Sequence, residues 1–338
     1  MGNSLAHQVR ILSAHDVESL IDMRAIIDTQ RAVFEDYARG NVLLAPRGLL
    51  NGPEGSVAFA YAARNTVNDG AVCKFGSVNP ANSTRQLPAI SATVLVQHAE
   101  TGYLRAILNG EPITTARTAG ASAVAASALA TPGRHELGII GSGVQAHAHL
   151  EALAALDLVA SVRVFSPSAE RRAAFCKQAA QAFDFDVLEG ESAQDVVSTS
   201  SLVVTATTSA QPVCEGAWVR PGTTVISVGS FAPDHREVDQ ALLDLADLVV
   251  VDDVETASQQ AGPIAAAIAH AQTGASGDGV PTLYALGNVL NGTAPGRSND
   301  EQIIFYNSVG LGFQDSAAAE RIVQVAEERG MGQLVDLG

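Results

Sequence analysis

The sequence predicts an α/β protein in which a doubly wound parallel sheet is joined to a second, α+β part with an antiparallel sheet. Three observations carry that expectation. From residue 118 onward, short β-branched runs alternate with alanine-rich helical patterns. One of those runs, residues 137–140, breaks into Gly141-Ser142-Gly143 and opens a helix. Before residue 118, a helical stretch is followed by several short β-rich runs punctuated by Asn, Gly, Pro and Ser. Strands with few charges that alternate with helices belong to a parallel sheet covered on both faces.

Taken in order, residues 14–40 space Val17, Leu20, Ile21, Ile27, Val33, Phe34 and Tyr37 at helical intervals and stop at Gly40, a residue suited to a helix end. SVAFAYAA, AVCKFGSV, SATVLVQH and GYLRAIL read as strands, the last two forming a hairpin through Glu100-Thr101-Gly102. TAGASAVAASALA is a helix of small residues. ELGII, SVRVF, SLVVTATT, TTVISVGS and DLVVVDD follow as buried strands, with QAHAHLEALAAL and AERRAAFCKQAAQAF as helices among them. SAAAERIVQVAEERG is the final helix, and AQTGASGDGV, before Pro281, is expected to be a flexible loop. There are no internal repeats. The expected domains are residues 1–117 with 315–338, and residues 118–314.

At 338 residues and 47% hydrophobic content the chain can build a sizeable core and two domains. A formal charge of −16 lacks the basic footprint of a nucleic-acid surface, so an anionic ligand has to be held by a few local cations. Cys73, Cys176 and Cys214 are widely spaced and odd in number, and read as reduced thiols of a cytoplasmic protein. The opening MGNSLAHQVRILSAHD has no basic segment followed by an apolar core. Ala6 stands where a myristoylation signal needs Ser or Thr. No apolar run is long enough to span a bilayer. His147 and His149 have no metal partners at helical spacing, and HExxH, GxSxG and Cys–His signatures are absent, so no metal site is expected.

The glycine turn follows a buried strand and opens a helix, the context a dinucleotide's pyrophosphate requires in a Rossmann domain. Gly141 makes the tight turn, Gly143 lets the backbone approach the phosphates, and Ala146 permits close helix–strand packing. The helix N-terminus adds N–H groups and partial positive charge. About twenty residues on, where Asp or Glu would take a ribose 2′-hydroxyl, VRVFSPSAERR places Ser166, with Ser168, Arg171 and Arg172 nearby. No acidic group there repels a 2′-phosphate, which favours NADP(H) over NAD(H). The arginines also fit the exposed face of a helix.

Three cations fall in apolar surroundings. Lys74 interrupts AVCKFGSV, either as a charge that discourages edge pairing or as a site residue. Arg117, in EPITTARTAGASAV, is read at the start of a helix, where the macrodipole disfavours a cation unless an anion is present. Arg47 lies in LLAPRGLL. Together they suit a carboxylate, Arg by bidentate geometry and Lys as a point charge. Ser91, in PAISATVLV, is a further candidate to point a hydroxyl at that ligand, although an ordinary strand serine reads the same way.

AVCKFGSVNP, ITTARTAGASAVAASALA, LGIIGSGVQAHAHLEAL, WVRPGTTVISVGSFAPDHREVD and YNSVGLGFQDSAAA, in that order, resemble the ornithine cyclodeaminase/mu-crystallin family over nearly the whole chain. The resemblance implies a Rossmann domain and a substrate-binding domain that builds a homodimer. It matches Arg47, Lys74 and Arg117 to substrate-carboxylate cations, Lys74 and Arg117 being the catalytic candidates. Gly141, Gly143, Val144 and Gln145 match the dinucleotide turn, and Thr118, Thr207, Gly229 and Ser230 line the cofactor. Cyclodeaminases of the family carry an acid/base residue where this chain has Phe231, and Asp234 is three residues away. Their acidic residue after the first arginine is also missing, Glu54 falling too early. A phenyl ring takes no proton, but it suits a ring-shaped substrate. The expectation is therefore an NAD(P)H-dependent reductase of a cyclic ketimine carboxylate, Δ1-pyrroline-2-carboxylate or Δ1-piperideine-2-carboxylate, giving proline or pipecolate. The alternatives are an open-chain imino-acid reductase or amino-acid dehydrogenase, then an ornithine cyclodeaminase, then a non-catalytic binder.

Overall fold

The computed structural model describes residues 8–272 and 281–338. The first seven residues and most of the expected flexible loop lie outside that range. The chain forms two compact units, Met1–Arg117 with Leu311–Gly338, and Thr118–Gly310.

The first unit begins with β1 (Gln8–Leu12), α1 (Ala14–Leu20) and α2 (Met23–Ala38). The single helix expected here is two. Ser13 and Asp16 form a capping box at the start of α1. Ile21 is then extended, and the Asp22 carboxylate accepts from the Ala25 N–H to start α2. Strands β2 (Leu43–Leu44), β3 (Gly48–Asn51), β4 (Val57–Arg64), β5 (Val72–Val78), β6 (Ile90–Gln97) and β7 (Leu104–Asn109) follow. Helix α3 (Gly110–Leu129) carries the chain into the second unit.

There β8 (His135–Ile140), α4 (Val144–Ala155), β9 (Val159–Phe165), α5 (Ala169–Ala182) and β10 (Asp186–Glu189) come first. Next are α6 (Ala193–Thr199), β11 (Leu202–Thr205), β12 (Thr224–Ser227), α7 (Gln240–Leu245) and β13 (Leu248–Val251). Helices α8 (Val254–Gln260) and α9 (Gly262–Gln272), β14 (Leu283–Ala285), α10 (Leu286–Leu290) and β15 (Ile304–Asn307) complete it. Finally α11 (Gly312–Arg329) and β16 (Gln333–Asp336) belong to the first unit.

In the first unit the strand order is β16-β1-β7-β6-β5-β4-β2, with β3 on β4. The pairing is antiparallel throughout except for β1 on β7, a pair the sequence did not predict, with β16 outside it at the sheet edge. Helices α2 and α11 pack together through Phe34, whose ring meets Phe313 edge-on at 5.2 Å. Each such buried ring contributes about 1.5–3 kcal/mol.

The second sheet is parallel, ordered β10-β9-β8-β11-β12-β15-β13-β14. The chain runs from β8 outward through β9 and β10, then returns to β11 on the other side of β8. That reversal makes the carboxyl ends of β8 and β11 the topological switch point, where open α/β sheets bind ligands. Val203, Val225, Val249 and Phe305 of the strands join Leu242 and Ile264 of the helices in its core.

His149 of α4 is fully buried, hydrogen-bonded to the Gln145 carbonyl at 2.7 Å and the Ser122 hydroxyl at 2.9 Å. Burial lowers its pKa to about 4, against the opposing Gln145 bond. The unfolded chain therefore takes up a proton near pH 6.5 that the folded chain refuses until about pH 4. Stability contributed by the neutral imidazole is present at neutral pH and is lost as pH falls through this window, by about 3 kcal/mol. Denaturant titrations from pH 7 to 4 should show this decline, and a His149→Gln chain should show a shallower one. Equal slopes would rule it out.

Candidate functional site

In the first unit, β4, β5, α3 and α11 bring a charged cluster together in an apolar interior. Lys74 alternates inward on β5 while Phe75 points out. Its side chain is 4% exposed, its ammonium lies 2.9 Å from the Asp315 carboxylate, and it donates also to the Thr114 hydroxyl. Arg117 donates to the Gln314 side-chain oxygen at 3.1 Å, and its Nε lies 3.4 Å from Asp315. The Tyr61 hydroxyl donates to Asp315 at 3.3 Å. The Arg47 guanidinium sits 5.0 Å from the centre of the same tyrosine ring, with Lys74 Nζ at 5.8 Å. Phe59 stacks on that ring from its own strand.

Position in α11 explains why Asp315 is held there. It lies in the first turn of the helix, where the macrodipole favours a carboxylate. Gln314 accepts from the Leu311 N–H, and its backbone carbonyl accepts from Gln30 of α2, so the turn is pinned from both sides. Burial drives the Asp315 carboxyl upward, but Lys74 and Arg117 outweigh it and hold the pKa below the ordinary carboxylate range. Burial lowers the Lys74 pKa, with Asp315 opposing. For Tyr61, burial and then the Asp315 charge push the phenol well upward. Lys74 and Arg117 thus flank one carboxylate, and Arg47 adds a third cation at the Tyr61 ring, an excess of positive charge that a carboxylate ligand would balance.

In the second unit, Gly141 has φ +121° and packs so closely that a Cβ would meet the Ala206 carbonyl at 2.5 Å. Only glycine fits that turn. Gly143 is the N-cap of α4 with no side-chain cap, and a Cβ there would meet nothing of the protein within 4 Å. Val144 is 70% exposed at the helix start, and the buried Gln145 side-chain oxygen has no partner. Ser166, directly after β9, is buried and accepts from Ser142 at 2.9 Å. Ser168 caps α5 through the Arg171 N–H, leaving the Arg171 side chain exposed. Arg172 is committed elsewhere, to Glu189 and the Ser166 carbonyl. Thr118 is buried in α3, one residue past Arg117. Thr207, Gly229 and Ser230 follow β11 and β12. The residues of this turn fit a dinucleotide: an approachable glycine, free helix N–H groups and no carboxylate at the ribose position.

Three expected residues sit otherwise. Arg117 does not stand at a helix start: α3 begins at Gly110, so it lies two turns into the helix and its placement against Asp315, not the macrodipole, accounts for it. Ser91 is a correction: it pairs with Ser77, on the face that carries Phe75 and Thr93, opposite to Lys74. The pleat alternates faces, so Ser91, three positions before Val94, the partner of Lys74, points away from the cluster. Phe231 is 45% exposed and stacks on His235. Sequence reasoning missed Asp315 and Tyr61. A signal for Asp315 existed: it is the lone charge in GLGFQDSAAA, as Lys74 is in AVCKFGSV. Among the described residues no group of three or more His, Cys, Asp or Glu could hold a metal ion, and no helix is long and apolar enough to cross a membrane.

A parallel sheet with a glycine turn at its switch point is the architecture of dinucleotide-dependent dehydrogenases, and this chain also folds a separate sheet around a buried charged cluster. The profile of the ornithine cyclodeaminase/mu-crystallin family matches residues 7–330, and the chain belongs to that family. It is 33% identical to the Delta(1)-pyrroline-2-carboxylate/Delta(1)-piperideine-2-carboxylate reductase of Azospirillum brasilense, over 92% of this chain and 94% of that one. The structure of the Thermococcus litoralis Delta(1)-pyrroline-2-carboxylate reductase with NADH and L-proline superposes with a TM-score of 0.89 at 28% identity, covering 97% of this chain and 100% of that one. An archaeal alanine dehydrogenase dimer with bound NAD gives 0.90 at 28%, covering 98% and 100%.

Proposed function

We propose that this NAD(P)H-dependent oxidoreductase reduces a cyclic ketimine carboxylate, Δ1-pyrroline-2-carboxylate or Δ1-piperideine-2-carboxylate, to proline or pipecolate. The observation that carries the reading is the pair Lys74 and Arg117 at Asp315, with Arg47 over the adjoining Tyr61 ring and Phe59 stacked beside it. The arginines bind the substrate carboxylate, and the aromatic wall takes the ring. Bound NAD(P)H supplies the hydride that turns C=N into CH–NH. Lys74 and Asp315 hold and move the proton that Phe231 cannot, because burial weakens the lysine's grip on its proton while the carboxylate stays ionised beside it. Carboxylate anchoring and orientation do the rest. The named reductases among the relatives support this substrate class; the likeness to alanine dehydrogenase keeps an open-chain imino acid as the second reading.

The test is oxidation of NADPH and NADH followed by absorbance, with five- and six-membered cyclic imine carboxylates against oxo acids plus ammonia. Rapid turnover with a cyclic imine is expected. Turnover only with an oxo acid and ammonia would replace the reading by the second one. NADP(H) is favoured by Ser166 and the exposed Arg171, so Arg171→Ala should weaken NADPH by about tenfold while sparing NADH. Equal loss of both would remove that preference.

The chain is also proposed to form a homodimer. Leu50 and Phe75 are 71% and 55% exposed on the sheet face shared with Ala58 and Ala60, opposite to Lys74. An apolar sheet face of this kind asks for a cover, and a second copy provides one. Phe75→Asp should sediment as a monomer, and a monomeric parent chain would overturn the proposal.

A further inference from the structure

Glu237 is fully buried in the loop before α7, yet none of the chemistry above uses it. Its carboxylate accepts four hydrogen bonds: from the Thr205 hydroxyl at 2.9 Å, the Thr207 N–H at 2.6 Å, the Ser227 hydroxyl at 2.9 Å and the Gly229 N–H at 2.6 Å. Its own N–H donates to the Ser230 hydroxyl, and its carbonyl accepts from Val213 and Cys214. Among the described residues it forms no ion pair. Two backbone N–H donors and two hydroxyls thus occupy the oxygens of a buried carboxylate with no paired cation among the described residues. The charge lies where β11 and β12 end, on the side of the switch point away from Ser166.

From this we infer that Glu237 is an electrostatic positioning residue for the nicotinamide half of the cofactor. The inference rests on the dinucleotide reading proposed above. With the pyrophosphate at the turn after β8 and the adenosine ribose at the end of β9, the nicotinamide half falls over the ends of β11 and β12. The ring is neutral when reduced and cationic when oxidised. A fixed buried anion beneath it stabilises the oxidised form selectively and so favours hydride donation. Through Thr207 and Gly229 the same carboxylate also fixes the two loops that would line the ring. A plain loop staple would do only the second of these.

The discriminating readout is the ratio of dissociation constants for oxidised and reduced nucleotide, measured by fluorescence titration or calorimetry without substrate. A unit charge within about 10 Å in protein surroundings is worth roughly tenfold in such a ratio. Glu237→Gln should therefore weaken oxidised nucleotide about tenfold more than reduced. Glu237→Asp keeps the charge and shortens the reach: both affinities should fall while their ratio stays within about twofold of the parent. If Glu237→Gln weakens both forms equally, or Glu237→Asp shifts the ratio, the inference is overturned and Glu237 is a staple. Should Glu237→Gln fail to fold, a changed Glu237→Asp ratio still overturns the inference. A parent chain that binds neither nucleotide would instead overturn the dinucleotide reading itself.

Discussion

Lys74→Met should lower kcat/KM for the imine by about 10³-fold while nucleotide affinity changes by less than about threefold. The lysine is the only ammonium in the cluster, and Met keeps its length without its charge. Removing it leaves Asp315 buried, but Arg117 remains 3.4 Å away and the Tyr61 hydroxyl still donates to it. The carboxylate therefore stays partly compensated, and the stability cost falls below the roughly 3–5 kcal/mol expected for a buried pair broken outright. Asp315→Asn is the harsher change. It leaves Lys74 and Arg117 facing each other in an apolar interior with no anion between them, so it should lose activity and stability together. Thermal melts of both variants, read beside steady-state kinetics, separate the two effects. A Lys74→Met enzyme within about tenfold of the parent would show that this cluster is not where the substrate binds.

How visible these residues are in the sequence follows from what decides their placement. Gly141 announces itself because a tight turn between strand and helix is a local event with a local composition. Lys74 stands out because charge breaks an apolar strand. Asp315 and Glu237 owe their roles to partners far along the chain: Lys74 is 241 positions from Asp315, and Thr205 is 32 from Glu237. No window around FAPDHREVD distinguishes a buried carboxylate from a solvated one, since Asp234 and His235 beside it do face solvent. Ser91 shows the converse limit. Its strand was legible, but which face of the pleat it occupies depends on the register against β5, and that register is set by pairing rather than by composition. The parallel pair β1–β7 escaped for the same reason: five residues at the edge of the described chain carry no periodicity long enough to read.

Two glycines of the second unit should respond to alanine in opposite ways, and the contrast locates the cofactor. At Gly229 a Cβ would stand 2.0 Å from the Thr207 carbonyl oxygen and 2.7 Å from the Glu237 carboxyl carbon. Neither neighbour can yield: the Thr207 N–H and the Gly229 N–H are both bound by that carboxylate, so moving one loop breaks the bonds that hold the other. Gly229→Ala should cost about 3 kcal/mol or more and lower the melting temperature by several degrees. At Gly143 the backbone is extended, with φ −90° and ψ −173°, and a Cβ meets nothing of the protein, so Gly143→Ala should fold with stability changed by less than about 0.5 kcal/mol. Its methyl group nevertheless projects at the start of α4, into the approach that a pyrophosphate needs, and nucleotide affinity should fall by about tenfold or more. Loss of stability at one glycine and loss of binding alone at the other would fix the phosphates on the turn after β8. A Gly143→Ala chain that binds both nucleotides like its parent would move them elsewhere.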